Sequence, residues 1–153
     1  MPSQADSQRK IKPRVFIDAD VLFAGSAAPS EHGASLVVLR MAEISLIEAL
    51  TSTQVVEEAE RNLVEKLPNA LPAFRMIVAR CLQVVPIPEA EAIQAHTGEA
   101  HPVDLPILVA ALIHDCPWLV TFNTRHYYPG HPALTVLSPG DFMLRVRDLL
   151  AHL

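Results

Sequence analysis

Residues Arg14 to Asp20 read RVFIDAD, a β-branched and aromatic run closed by two acids. A strand buried on both faces of a parallel sheet is apolar throughout and turns polar where it leaves the sheet, so this stretch predicts a first strand whose carboxyl end carries Asp18 and Asp20. Two residues apart, the acids are placed to project to the same side. Working outward, Leu46–Leu50, Gln83–Ile87, WLVTF at 118–122 and Thr135–Leu137 read as further short strands. Between them lie segments of helical period or capped start: 33–44, 53–67, 71–82, 88–96, 104–115 and a last helix from Ser138-Pro139-Gly140 through Leu150. Strands alternating with helical segments predict an α/β fold, a three-layer α/β/α sandwich around a parallel sheet of about five strands.

The chain has 153 residues, half of them hydrophobic, which fits one domain with a core of its own. Residues 1–13 read as a flexible tail and 14–153 as a single domain. Lys and Arg number 12 against 17 Asp and Glu, a net charge of -5, which excludes a broad basic coat for nucleic acid. Cys81 and Cys116 show neither a disulfide framework nor zinc-finger spacing and read as buried thiols. With no apolar run long enough to span a bilayer and a polar start, a cytoplasmic, membrane-free protein is expected.

In an open parallel sheet, ligands bind beyond the carboxyl ends of the strands, where strand order reverses. Asp18 and Asp20 end the first strand, Asn123 and Thr124 follow the WLVTF strand, Asp104 heads the helix leading into it, and Glu57 and Glu58 lie on the helix after ALTS. Carboxylates gathered in one cleft repel one another, and a cation between them relieves that repulsion. An all-oxygen donor set selects Mg²⁺ or Mn²⁺.

Four stretches in order, FIDADVLFAG, LTSTQVVEEAERNL, HPVDLPILVAALIHDCPWLVTFNTRHY and VLSPGDFML, resemble the motifs of a PIN domain, and the resemblance runs from Arg14 to Leu150. It implies a metal-dependent endoribonuclease, in bacteria often the toxin of a toxin-antitoxin pair. The implied catalytic set is Asp18, Glu58, Asp104 and Asn123, with Glu58 rather than Glu57 chosen by its place as the sixth residue after Ser52. The implied metal ligands are Asp18, Glu58 and Asp104, and Asp20 joins them. Asn123 stands in a TFN sequence, as in one bacterial branch of the family, where many members have an acid. Asp20 stands where Asn is common, so it restores part of the charge that Asn123 omits. Ser52, Thr121, Arg125 and His126 are the candidate substrate contacts. RNA is the implied substrate, left with 5′-phosphate and 3′-hydroxyl ends, and an antitoxin protein and a second copy of the chain are the candidate protein partners.

Two other readings stand beside this one. A PIN-like module that binds without cleaving is argued by Asn123. A haloacid-dehalogenase-type phosphatase is argued by the D-x-D of FIDADVL, but the chain has no lysine after Lys66 to complete that chemistry. The seven histidines show no metal-binding spacing and read as surface positions, with His126 kept for its place after Asn123. Tyr127 and Tyr128 read as packing for the turn before Pro129 or as stacking partners for an unpaired base.

Overall fold

A computed structural model describes residues 12–27 and 33–151. Its five strands, β1 (Arg14–Ile17), β2 (Glu48–Ser52), β3 (Leu82–Val85), β4 (Trp118–Val120) and β5 (Thr135–Leu137), form one sheet in the order β3-β2-β1-β4-β5. Every neighbouring pair is parallel. Seven α-helices lie among the described residues: α1 (Ala19–Ala27), α2 (Ala34–Glu43), α3 (Thr53–Lys66), α4 (Leu71–Cys81), α5 (Ala90–Gln94), α6 (Leu105–Ile113) and α7 (Pro139–Ala151). Helices α1 to α4 pack on one another and α7 packs on α2, whereas α5 contacts α6. Crossovers of the usual right hand, with this strand order, place the first group on one face of the sheet and α5 with α6 on the other, the expected three-layer arrangement.

The sheet is the core. Val15, Phe16, Ile17, Leu50, Leu119 and Val120 are fully buried, as are Ile107, Leu108, Ala110 and Ala111 of α6. Each of the valine, leucine, isoleucine and phenylalanine side chains among them contributes roughly 1.5–3 kcal/mol by leaving water. Both cysteines are buried and free.

The structure corrects the first element. The strand expected over Arg14–Asp20 stops at Ile17, because the Asp18 carbonyl accepts the Leu22 N–H (3.3 Å) and its carboxylate accepts the Ala19 N–H (2.7 Å). Helix α1 then follows at once, an element with no counterpart in the sequence reading. ADVLFAGSA is apolar nearly all round, so it shows no helical stripe, and the fold buries Ala19, Val21, Leu22, Gly25 and Ser26 of it. The strand expected at 46–50 lies at 48–52, the one expected at 118–122 ends at Val120, and the helix expected at 88–96 is reduced to 90–94. Of the expected tail, residues 1–11 lie outside the described residues, while the Pro13 carbonyl already accepts the Glu48 N–H (2.9 Å) at the start of the sheet.

Strand order runs outward from β1 through β2 to β3, then returns to the other side of β1 with β4. The reversal lies between β1 and β4, where Ile17 is in register with Val120. The next residues, Asp18 and Thr121, therefore stand side by side at the carboxyl edge.

Candidate active site

Asp18 is the hub of this edge. It is 6% exposed, and its carboxylate accepts the Ala19 N–H on Oδ1 and two hydroxyls, Thr121 and Tyr127, on Oδ2, each at 2.8 Å. Donors on three sides fix the carboxylate without neutralising it. Burial and the adjacent Asp18 push the Tyr127 hydroxyl far above the usual phenol range, so it stays a donor.

Asp20, in the first turn of α1, reaches across to the end of β4. Its Oδ2 accepts the Phe122 N–H (3.0 Å) and lies 3.2 Å from the Thr121 hydroxyl. Thr121 has one proton to give, and its oxygen also accepts the Asn123 N–H (3.1 Å). It cannot serve both carboxylates, so the shorter bond goes to Asp18. Burial, and then the charge of Asp18, push the Asp20 carboxyl up to about 6.

Glu58 and Asp104 supply the remaining acids. The Ser52 hydroxyl caps α3 by accepting the Val55 N–H (3.3 Å), which fixes the helix so that Glu58 is half-buried while Glu57 is exposed. Asp104 is the N-cap residue of α6. The Gln54 side chain donates to the Val103 carbonyl (3.1 Å) and fastens the start of α3 to the loop before α6. Burial raises the Glu58 carboxyl, with the charges of Asp18 and Asp104 acting in the same direction. Asp104 is raised by burial and then by Asp18, against the opposing pull of His126 and His101.

A cleft of about 220 Å³ is lined by Asp18, Asp20, Glu58, Asp104, Asn123, His101 and His126, with Ala19 and Val103. His126 Nδ1 lies 3.1 Å from Asp104 Oδ2, and the His101 ring lies 5.7 Å from the His126 ring. Three carboxyls raised by burial and mutual repulsion are an arrangement that a hard divalent cation relieves, and their oxygens are the donors Mg²⁺ or Mn²⁺ takes.

Of the residues picked out in the sequence, Asp18, Asp20, Glu58, Asp104, Asn123 and His126 line this cleft. Thr121 is fully buried beneath it, Ser52 is buried as a helix cap, and Arg125 is exposed on the short turn of 3₁₀ helix at Thr124–Tyr127. Tyr127 and His101 belong to the site although sequence reasoning did not place them there. Tyr127 lies 109 positions from the carboxylate it binds, and no local pattern announces such a contact. Removing its hydroxyl by Tyr127→Phe leaves Asp18 Oδ2 one donor short. A hydrogen bond to a charged group contributes about 1.5–3 kcal/mol, and the expected result is a lower melting temperature with native circular dichroism.

A family model described as PIN domain matches residues 14–125. The fold is similar to that of VapBC2 from Rickettsia felis, bound to a DNA fragment from its promoter, with a TM-score of 0.60 and 15% identity over 80% of this chain and 96% of that one. It is also similar to Mycobacterium tuberculosis VapC20, described as a sarcin-ricin loop cleaving toxin, with a TM-score of 0.51 and 16% identity over 69% of this chain and 86% of that one. No curated protein matches the sequence.

Proposed function

The chain belongs to the PIN-domain family, and from that premise we propose that it is a metal-dependent endoribonuclease whose catalytic set is Asp18, Glu58, Asp104 and Asn123. The observation that carries this reading is the meeting of Asp18, Asp20, Glu58 and Asp104 around one cleft at the strand-order reversal. Asp18, Glu58 and Asp104, joined by Asp20, would hold Mg²⁺ or Mn²⁺. When bound, the ion lowers the pKa of water and offsets the charge that builds on a phosphodiester under attack.

The chain's own groups do the rest. Thr121 and Tyr127 hold Asp18 in one orientation, and Ser52 holds α3 so that Glu58 faces it. Asn123 offers an uncharged amide to substrate or ion. His126, held through Nδ1 by Asp104, presents Nε2 to a phosphate, and the exposed Arg125 guanidinium grips a neighbouring one. Water gives up a proton as its oxygen bonds to phosphorus, the bond to the 3′ oxygen breaks and that oxygen takes up a proton, leaving 5′-phosphate and 3′-hydroxyl ends. Cleavage of RNA by the full chain with Mg²⁺ or Mn²⁺, set against chelated controls, tests the reading.

The toxin half of a toxin-antitoxin pair is the biological setting, with a protein antitoxin as inhibitor and a second copy of the chain as a further partner. The likeness to VapBC2 and VapC20 supports it. No helix among the described residues is long and apolar enough to cross a membrane, and the setting is cytoplasmic. The second reading, a module that binds RNA without cutting it, draws on the missing carboxylate at Asn123, and the same assay decides between the two.

Acidity should oppose the ion. Asp20 has a folded pKa of about 6 against 3.8 ordinarily, so the metal-free fold holds this proton more tightly than the unfolded chain. Its contribution to stability is full below the unfolded pKa and is lost as pH rises through the folded one. Metal-free protein should therefore lose melting temperature between about pH 4 and pH 7 more steeply than Asp20→Asn, the difference between the two isolating this group. Mn²⁺ affinity should rise over the same interval in the parent and more weakly in the variant, as read by calorimetric titration.

A further inference from the structure

Away from the carboxylate cleft, His96, Glu99 and His131 each offer one ligand atom, and these atoms lie within 4.8 Å of one another. His96 Nδ1 and Glu99 Oε2 are 2.5 Å apart, within hydrogen-bonding distance. The His96 and His131 rings meet edge to face with centroids 5.5 Å apart. All three residues are half-buried.

The backbone holds them there. Gly130 N–H donates to the Glu99 carbonyl (2.8 Å) and His101 N–H to the His126 carbonyl (2.7 Å), so the 96–101 and 126–131 segments are laced at two points. Gly98 and Gly130 have φ of 91° and 86°, values a side chain resists, and a Cβ on Gly130 would stand 3.1 Å from the Tyr127 carbonyl oxygen. The trio is thus preorganised rather than a chance meeting of mobile surface groups.

We propose that His96, Glu99 and His131 form a second metal site, one that takes Zn²⁺ and ties the two loops together. Two imidazoles with one carboxylate favour zinc over the hard ions suited to the all-oxygen cleft, and water completes the fourth position. Ligands about 2.0–2.1 Å from zinc stand roughly 3.4 Å from one another, so the His96 and Glu99 atoms would part from 2.5 Å, and all three start no more than 4.8 Å apart. The ion takes the place of the hydrogen bond between His96 and Glu99. His131 Nδ1 now accepts the Ala133 N–H (3.0 Å), which leaves Nε2 for the ion. Coordination there moves the ring proton to Nδ1 and releases Ala133, a local change that can be read directly. Zinc at this place braces the loops that carry His101, Asp104 and His126, and the site stands whether or not the cleft cleaves RNA.

The test uses the full chain carrying Asp18→Asn and Asp104→Asn, which weakens metal binding in the cleft. After exposure to Zn²⁺ and desalting, elemental analysis should find one zinc per chain, and the Ala133 amide resonance should shift on zinc addition. His96→Ala or His131→Ala in that background should weaken zinc binding at least about tenfold, since even partners outside the ligand shell cost 10–100-fold. Glu99→Gln, which preserves size and a hydrogen bond, should also weaken it if either histidine variant fails to fold. Failure of the background protein to retain zinc, or equal retention in Glu99→Gln and His131→Ala, overturns the proposal.

Discussion

Replacing Asp18 by Asn is expected to lower Mg²⁺- or Mn²⁺-supported RNA cleavage by at least about 10²–10³-fold, the scale seen when one preorganised electrostatic group is removed from an active site. The substitution keeps the shape of the side chain, so the fold should survive. It removes the charge at the point where Ala19, Thr121 and Tyr127 all donate. An amide offers one acceptor oxygen where the carboxylate offered two, and its NH₂ meets donors instead of acceptors. Both the affinity for the ion and the alignment of the remaining acids should fall together. Activity should not return at saturating metal if alignment contributes, and native circular dichroism separates this result from unfolding. Parent-level cleavage by the variant would remove Asp18 from the mechanism.

The largest stability effect is expected far from the acids. Phe142→Ala should cost about 3–5 kcal/mol, the range for truncating a buried aromatic, out of the roughly 5–15 kcal/mol that hold a domain together. Phe142 is fully buried on α7 and meets Trp118 of β4 edge to face, with ring centroids 6.0 Å apart. The match to the family model ends at residue 125, yet β5 and α7 follow it and close the sheet and the core on that side. We propose that residues 14–153 unfold as one unit. A urea midpoint lowered steeply by Phe142→Ala, with a single coincident transition by fluorescence and circular dichroism, is the expected outcome. An unchanged midpoint would make α7 an appendage.

These two sites mark where sequence reasoning reaches and where it stops. β1 and β4 were legible because strands buried on both faces are continuous apolar runs, as VFI after Arg14 and WLV are. Asp18 and Asp20 stood out as two acids closing such a run, and the choice of Asp18, Glu58 and Asp104 as a set came from the resemblance to PIN-domain motifs. The choice of Glu58 over Glu57 rested on counting from Ser52; in the structure Glu58 is half-buried and Glu57 is exposed. Helix α1 was illegible because burial on nearly every side erases the stripe that periodicity detects. Tyr127 reads in the sequence as packing a turn or stacking on a base, whereas the structure buries it with its hydroxyl on Asp18. His96, Glu99 and His131 escaped for the same reason, since the third member joins the other two only through the lacing of separate loops. Long-range polar contacts leave no period in a sequence.

On the reading proposed above, Asp18, Asp20, Glu58 and Asp104 would hold a divalent ion beside the water that attacks an RNA phosphodiester. The most direct measurement is the chemistry of the ends left on RNA incubated with the full chain and Mn²⁺. The expected products are 5′-phosphate and 3′-hydroxyl ends, none in the presence of a chelator and almost none from Asp104→Asn. Ends bearing 2′,3′-cyclic phosphate, or cleavage that persists in chelator, would contradict it.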